Sequence, residues 1–344
     1  MRIVIADVHV PFISGGGEAL AKGLLDACRH VGHQTEMVSI PFRFSPITEI
    51  ERNADYWEAE TFDNLNGYSP DLLIALRFPS YYSTHRRKAV WLLHQHRAFY
   101  DLWNPSAEHT PEEEAVRKHS IERDTFHLSK VKQVHTISRN VTRRLEQFNG
   151  ISSIPLYHPP PMAGKLHCAA PEAYIFAPSR LETLKRQWLL IQAAQYLRAP
   201  LAILISGEGG QRHAYEKLIE ELGVGDRVHL IGRLTEQELA GFYGSSLGVF
   251  FGPQDEDYGY ITLEAMLAKK PVITCSDSGG PLEFVVHDET GLVVEPTPQA
   301  VAAAIERLYS SQRRAANLGA AGFARYQEVG IRSWGAVVDE LTQN

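Results

Sequence analysis

The chain has 344 residues, 44% apolar and 22% charged, with a formal charge of −7. Length of about two ordinary domains, and no apolar run near the ~20 residues a membrane helix needs, exclude a small single domain and a transmembrane bundle. The acidic balance excludes a general nucleic-acid binder, and three widely spaced cysteines exclude a disulfide framework or a CxxC metal centre.

The N-terminus passes directly into Ile3-Val4-Ile5, too short an apolar stretch for a signal peptide, so a cytoplasmic setting is expected. Short apolar runs follow at 37–40, 72–76, 89–93 and 134–137, then at 174–177, 201–205, 228–231, 249–251, 271–274 and 291–294. Continuous rather than alternating runs predict strands buried on both faces, hence parallel sheets covered by helices. Helices are predicted over 18–30, 141–150 and 215–222, while 46–65 reads as helix or loop. The alternation occurs twice, giving two doubly wound α/β domains. His158-Pro159-Pro160-Pro161 interrupts both helix and central strand, and a small-residue linker follows. The expected division is 1–165 and 166–330, with a C-terminal helix in 331–344 crossing back to the first domain. The halves differ in charge: 19 Lys and Arg against 19 Asp and Glu in 1–170, and 15 against 22 beyond.

Ligands in such sheets collect at the carboxyl ends of the strands, in a crevice between two facing domains. Four loops there carry candidate chemistry. Ser14-Gly15-Gly16-Gly17 precedes a helix, where Gly16 and Gly17 let backbone N–H groups approach an anion. A plain β–α turn competes, since the loop is neither GxGxxG nor a Walker motif. Arg180 and Lys185 follow the 174–177 strand and are spaced to grip a diphosphate, or else are solvated surface charges. Gly207 and its neighbours follow the 201–205 strand and leave room for a nucleotide ring, or form an ordinary turn. The fourth loop runs from Asp255 and Glu256 into a helix carrying Tyr260, Ile261, Thr262 and Glu264. N–H groups at its start suit phosphate oxygens, and the acids suit sugar or ribose hydroxyls.

The series Ser179-Arg180-Leu181 with Lys185, Gly207-Glu208-Gly209, Gly232-Arg233-Leu234, Glu256 with Glu264, Gly279-Gly280-Pro281 and Thr290-Gly291-Leu292 resembles the retaining glycosyltransferases of family 4, the group 1 transferases. The resemblance covers about 174–296. The first half matches through its glycine loop, His94 after the 89–93 strand, and Tyr157-His158-Pro159-Pro160. It implies a GT-B fold: two Rossmann-like domains facing an interdomain cleft, the first for the acceptor and the second for a nucleotide diphosphate sugar. Arg180 and Lys185 would neutralise the diphosphate, Glu264 would hold the ribose, and Glu256 would contact the donor sugar and phosphate. Tyr258 to Thr262 would contribute backbone groups, and Gly207 and Arg233 would lie in the nucleotide site. Gly16 and Gly17 would approach the diphosphate from the first domain, with His94 near the reacting centre and His96 as its rival.

The implied reaction is retaining transfer to an acceptor hydroxyl of a sugar, lipid-linked or natural-product acceptor, with no metal or other cofactor. A GT-B epimerase or phosphorylase, and a non-catalytic scaffold subunit, are the alternatives. Arg86-Arg87-Lys88 with Tyr81, Tyr82 and Trp91 is read as a basic, amphipathic patch for a peripheral contact with the inner membrane face.

Overall fold

The computed structural model describes residues 1–13 and 15–343; Ser14 of the first glycine motif lies outside them. Two compact units result, one of Met1–His158 with Arg332–Asn344 and the other of Pro159–Ile331.

The first unit contains β1 (Arg2–His9), α1 (Gly16–His30), β2 (Gln34–Pro41), α2 (Thr48–Ala59), β3 (Leu72–Ala75), β4 (Lys88–Leu92), α3 (Pro111–Ser129), β5 (Val134–Thr136), α4 (Arg139–Asn149) and β6 (Ile154–Pro155). Its strands lie in the order β2-β1-β3-β4-β5-β6 and all pair in parallel. β3 is buried at every position, which is why its sequence is continuously apolar. The segment 46–65 contains α2, because Ile50, Ala54 and Trp57 recur on one face and are buried together. The two-residue β6 was not expected; it is too short to carry a periodic signal.

The second unit contains β7 (Tyr174–Pro178), α5 (Gln187–Ala193), β8 (Ala202–Ser206), α6 (Arg212–Leu222), β9 (Val228–Gly232), α7 (Glu236–Ser245), β10 (Gly248–Phe250), α8 (Tyr260–Leu267), β11 (Val272–Cys275), β12 (Gly291–Val294), α9 (Pro298–Ser310) and α10 (Gln312–Glu328). The strand order is β12-β11-β10-β7-β8-β9, again all parallel. Its core joins Ile175, Leu190, Ile203, Phe250, Ile273 and Ile305, all almost fully buried. Burying each such side chain contributes about 1.5–3 kcal/mol.

The units divide at 158/159, ahead of the expected 165/166. The stretch after the prolines joins the second unit: Ala169 N–H donates to Gly244 O at 2.9 Å, and Lys165 pairs with Glu236 at 2.7 Å. The final helix, α11 (Trp334–Gln343), belongs to the first unit. Trp334 meets Trp91 and His158 edge-on or tilted, and Val337, Val338 and Leu341 are buried.

The basic aromatic patch is not formed. Tyr81, Tyr82 and Trp91 are fully buried, and Lys88 donates to the carbonyls of Tyr81 and Ser83. Arg87 bonds the Thr342 carbonyl of α11. Trp91 faces the core because β4 is a central strand, whereas Tyr81 and Tyr82, on the turn before it, are buried with both hydroxyls donating to Asp124 of α3. Among the described residues, no helix is long and apolar enough to cross a membrane.

Candidate functional site

In the second unit the chain runs outward from β7 to β9 and, in the other direction, from β10 to β12. The direction reverses between β7 and β10, the position where open parallel sheets bind ligands. The loops following β7, β10 and β11 are bound together there by their backbones. Gln254 N–H donates to Leu184 O at 2.8 Å, and Asp255 and Glu256 N–H donate to the carbonyls of Asp277 and Ser278, both at 2.9 Å. Gly280 N–H returns to Glu256 O at 2.7 Å.

This framework brings Lys185 against Glu256, Nζ donating to Oε2. Their side chains are 18% and 22% exposed, enough for a ligand to reach and too little for bulk water to screen them fully. Arg180 is exposed in the same loop. Arg186, which the sequence reading passed over, anchors that loop from below. It is buried and donates to the carbonyls of Gly252 and Pro253 and to the Asp277 carboxylate. Its position directly after Lys185 was the only available signal.

α8 begins at the same point, after Gly259. Tyr260 and Ile261 occupy its first positions, but Thr262 requires a correction. Its N–H closes on Gly259 O at 3.0 Å and its side chain is fully buried, so the turn itself uses the group expected to meet phosphate. Glu264 is 7% exposed and accepts a 2.7 Å hydrogen bond from the Tyr243 hydroxyl. Burial pushes its carboxyl up to about 7, against the hydrogen bonds from Tyr243 and the Met162 backbone. The native state therefore holds this proton more tightly than the unfolded chain. The stability it contributes is complete below the ordinary carboxyl value and is lost as pH rises towards 7. Glu264→Gln is expected to flatten the fall in Tm between about pH 4.5 and 7, read by thermal melts of both proteins.

Gly207 lies hard against the loop that follows β7. A Cβ there would stand 2.0 Å from the Ser179 carbonyl oxygen, and its φ is +127°. The glycine makes room for the loop that follows β7. Arg233 is exposed just beyond β9, at the same carboxyl edge.

In the first unit the reversal lies between β1 and β3. Gly15 caps α1, with Gly16 and Gly17 as its first helical residues. Beneath them is a charged network unseen in the sequence. Arg77 donates to both Asp7 oxygens at 2.7 Å and to Glu18 at 2.7 Å, and also to the Val8 carbonyl. Burial raises the Asp7 carboxyl despite Arg77. For Glu18 burial acts upward too, but the charge and hydrogen bond of Arg77 hold it below its ordinary value.

The two histidines are separated by their surroundings. His94, half-buried past the end of β4, donates from Nδ1 to Gln95 O at 2.8 Å, which makes Nε2 the basic nitrogen of the neutral ring. His96 is buried among Phe42, Phe44, Phe78 and Phe99, and burial, with His94 adding to it, pushes it down to about 4. It is a neutral member of an aromatic cluster.

Two parallel, doubly wound units with charged loops at their reversal points define the GT-B class of fold. The whole chain matches sucrose-phosphate synthase from Thermosynechococcus elongatus with a TM-score of 0.75 at 19% identity, covering 99% of this chain and 97% of that one. It also matches the Anabaena protein HepE in complex with UDP, with a TM-score of 0.70 at 15% identity, covering 100% and 99%. Residues 165–325 match the family Glycosyl transferases group 1. The second unit belongs to that family. Human alpha-1,3/1,6-mannosyltransferase ALG2 is 30% identical over 166 residues, 44% of this chain and 40% of that protein. The Mycobacterium tuberculosis GDP-mannose-dependent alpha-(1-6)-phosphatidylinositol monomannoside mannosyltransferase is 35% identical over 156 residues, 42% of this chain and 40% of its own length. The match thus spans about two fifths of each of these relatives.

Proposed function

We propose that the protein is a retaining glycosyltransferase that moves a sugar from a nucleotide diphosphate sugar to an acceptor hydroxyl. The observation that carries this reading is the Lys185–Glu256 pair at the reversal point of a group 1 transferase unit, next to the start of α8. In the reaction the bond from the anomeric carbon to the diphosphate oxygen breaks, with its electron pair leaving on the diphosphate. The acceptor oxygen forms the new bond on the same face, and its proton passes to the leaving phosphate oxygen. Lys185, Arg180 and the Ile261 N–H would bind the charge that develops there. Glu256 would orient the sugar, Glu264 would accept from the ribose hydroxyls, Gly16 and Gly17 would approach the diphosphate, and His94 would lie near the reacting centre. The resident cations do the work that a metal ion does in other phosphate sites, so no cofactor is proposed. The acceptor is a sugar, a lipid-linked sugar or a natural product. Transfer rather than epimerisation is favoured by the mannosyltransferase names of the relatives.

The test is a thermal-shift screen with UDP, GDP, ADP and dTDP, since a ligand that binds only the native state raises its stability by RT ln(1 + [L]/Kd). One nucleotide should raise Tm, and hydrolysis of the matching nucleotide sugar should proceed undiminished in EDTA. No response to any of the four would overturn the donor assignment. Strict dependence on added Mg²⁺ would overturn the account of charge stabilisation.

A further inference from the structure

We propose that Arg77 is the positioning residue for the glycine turn of the first unit, acting through Glu18, and that this linkage sets the turnover of bound donor rather than its affinity. The inference rests on the donor reading above and extends it to residues that no motif contains.

Glu18 has two tasks. Its Oε2 accepts the Gly15 N–H at 2.8 Å, fixing the entry to α1, while its Oε1 accepts Arg77 Nη1 at 2.7 Å. Arg77 in turn is held by both oxygens of Asp7, on β1, and by the Val8 carbonyl. The turn is therefore fastened to β1, at the reversal point of its sheet, by a continuous chain of charge-assisted hydrogen bonds. Only a guanidinium has enough donors, in a rigid plane, to make all of these contacts together. The fit also explains Gly17: a Cβ there would lie 2.8 Å from Arg77 Nη1, so the glycine makes room for the arginine itself.

Arg77 is 6% exposed and Asp7 2%, so breaking their pair endangers folding. Glu18, with 29% of its side chain exposed, permits a gentler test. Glu18→Gln keeps an oxygen for the Gly15 N–H and removes the charge that Arg77 grips. Arg77→Lys keeps the charge and loses the fork. Nucleotide affinity is measured with the responding nucleoside diphosphate, turnover as hydrolysis of the corresponding nucleotide sugar, and folding by Tm. In Glu18→Gln, kcat should fall about tenfold to a hundredfold, while Kd for the nucleotide stays within about twofold. Arg77→Lys should show the same split if it remains folded. Wild-type turnover in Glu18→Gln would overturn the proposal. So would a loss of nucleotide affinity in step with kcat, which marks a merely structural role. A wild-type protein that binds none of the four nucleotides is a different result, and it removes the donor reading on which this one stands.

Discussion

Lys185→Ala is expected to slow sugar transfer by about 10²–10³-fold, with Tm changed by no more than a few degrees. The large effect has two sources. On the proposed reading the ammonium, held in place by Glu256, would be a donor beside the leaving diphosphate, where charge develops in the reaction. Its removal also takes that partner from Glu256, whose side chain is 22% exposed, and its carboxylate would then oppose the anion that the proposed reaction forms. The small effect on stability follows because the pair lies on a partly exposed loop, and ion pairs in that setting contribute about 0–1 kcal/mol. Glu256→Gln provides the informative contrast. It releases Lys185 from a competing carboxylate, so the nucleotide alone should bind more tightly while transfer falls. Initial rates and calorimetric titration on the same preparations test both statements. Transfer by Lys185→Ala within about threefold of wild type would remove Lys185 from the charge-stabilising role.

Gly207→Ala is expected to destabilise the second unit by about 3–5 kcal/mol, combining a strained left-handed φ with overpacking against backbone. That corresponds to a fall in Tm on the order of 10 °C. The added methyl would stand 2.0 Å from the Ser179 carbonyl, and a carbonyl in a backbone cannot swing aside as a side-chain tip can. Ser179 N–H is held to Ser206 O at 3.0 Å, and Leu181 N–H to Glu208 O at 3.0 Å, so the clash falls on a loop fixed from both sides. Because Arg180 lies between those residues, transfer should fall together with stability. Gly210→Ala is the control: its Cβ would meet nothing within 4 Å, and Tm should hold or rise slightly. Equal melting of the two variants would refute the packing explanation for Gly207.

The fold was largely legible in the chain because both sheets are parallel and covered. Each central strand had to be apolar on both faces, and the resulting runs end at the loops that carry chemistry. Ranges such as 174–177 and 291–294 lie within β7 and β12 for that reason. The spacing of Arg180, Lys185, Glu256 and Glu264 was equally legible, since each lies in, or just beyond, a loop following a strand. Errors arose where a local pattern had two tertiary outcomes. Arg86-Arg87-Lys88 with nearby aromatics reads as a surface patch until β4 is placed in the middle of a sheet. His94 and His96 are identical by pattern, yet one lies past a strand end and the other among phenylalanines.

By itself, then, the sequence determined the double α/β architecture and the group 1 motifs, because periodicity and loop spacing are local properties of the chain. Tertiary structure alone decided which charges meet. Lys185 finds Glu256, Arg186 finds Asp277, and Arg77 finds Asp7 and Glu18 across separations that no local pattern spans. It also decided that Gly207 and Gly17 make room for protein atoms, since close approach between distant segments exists only once the sheets have formed.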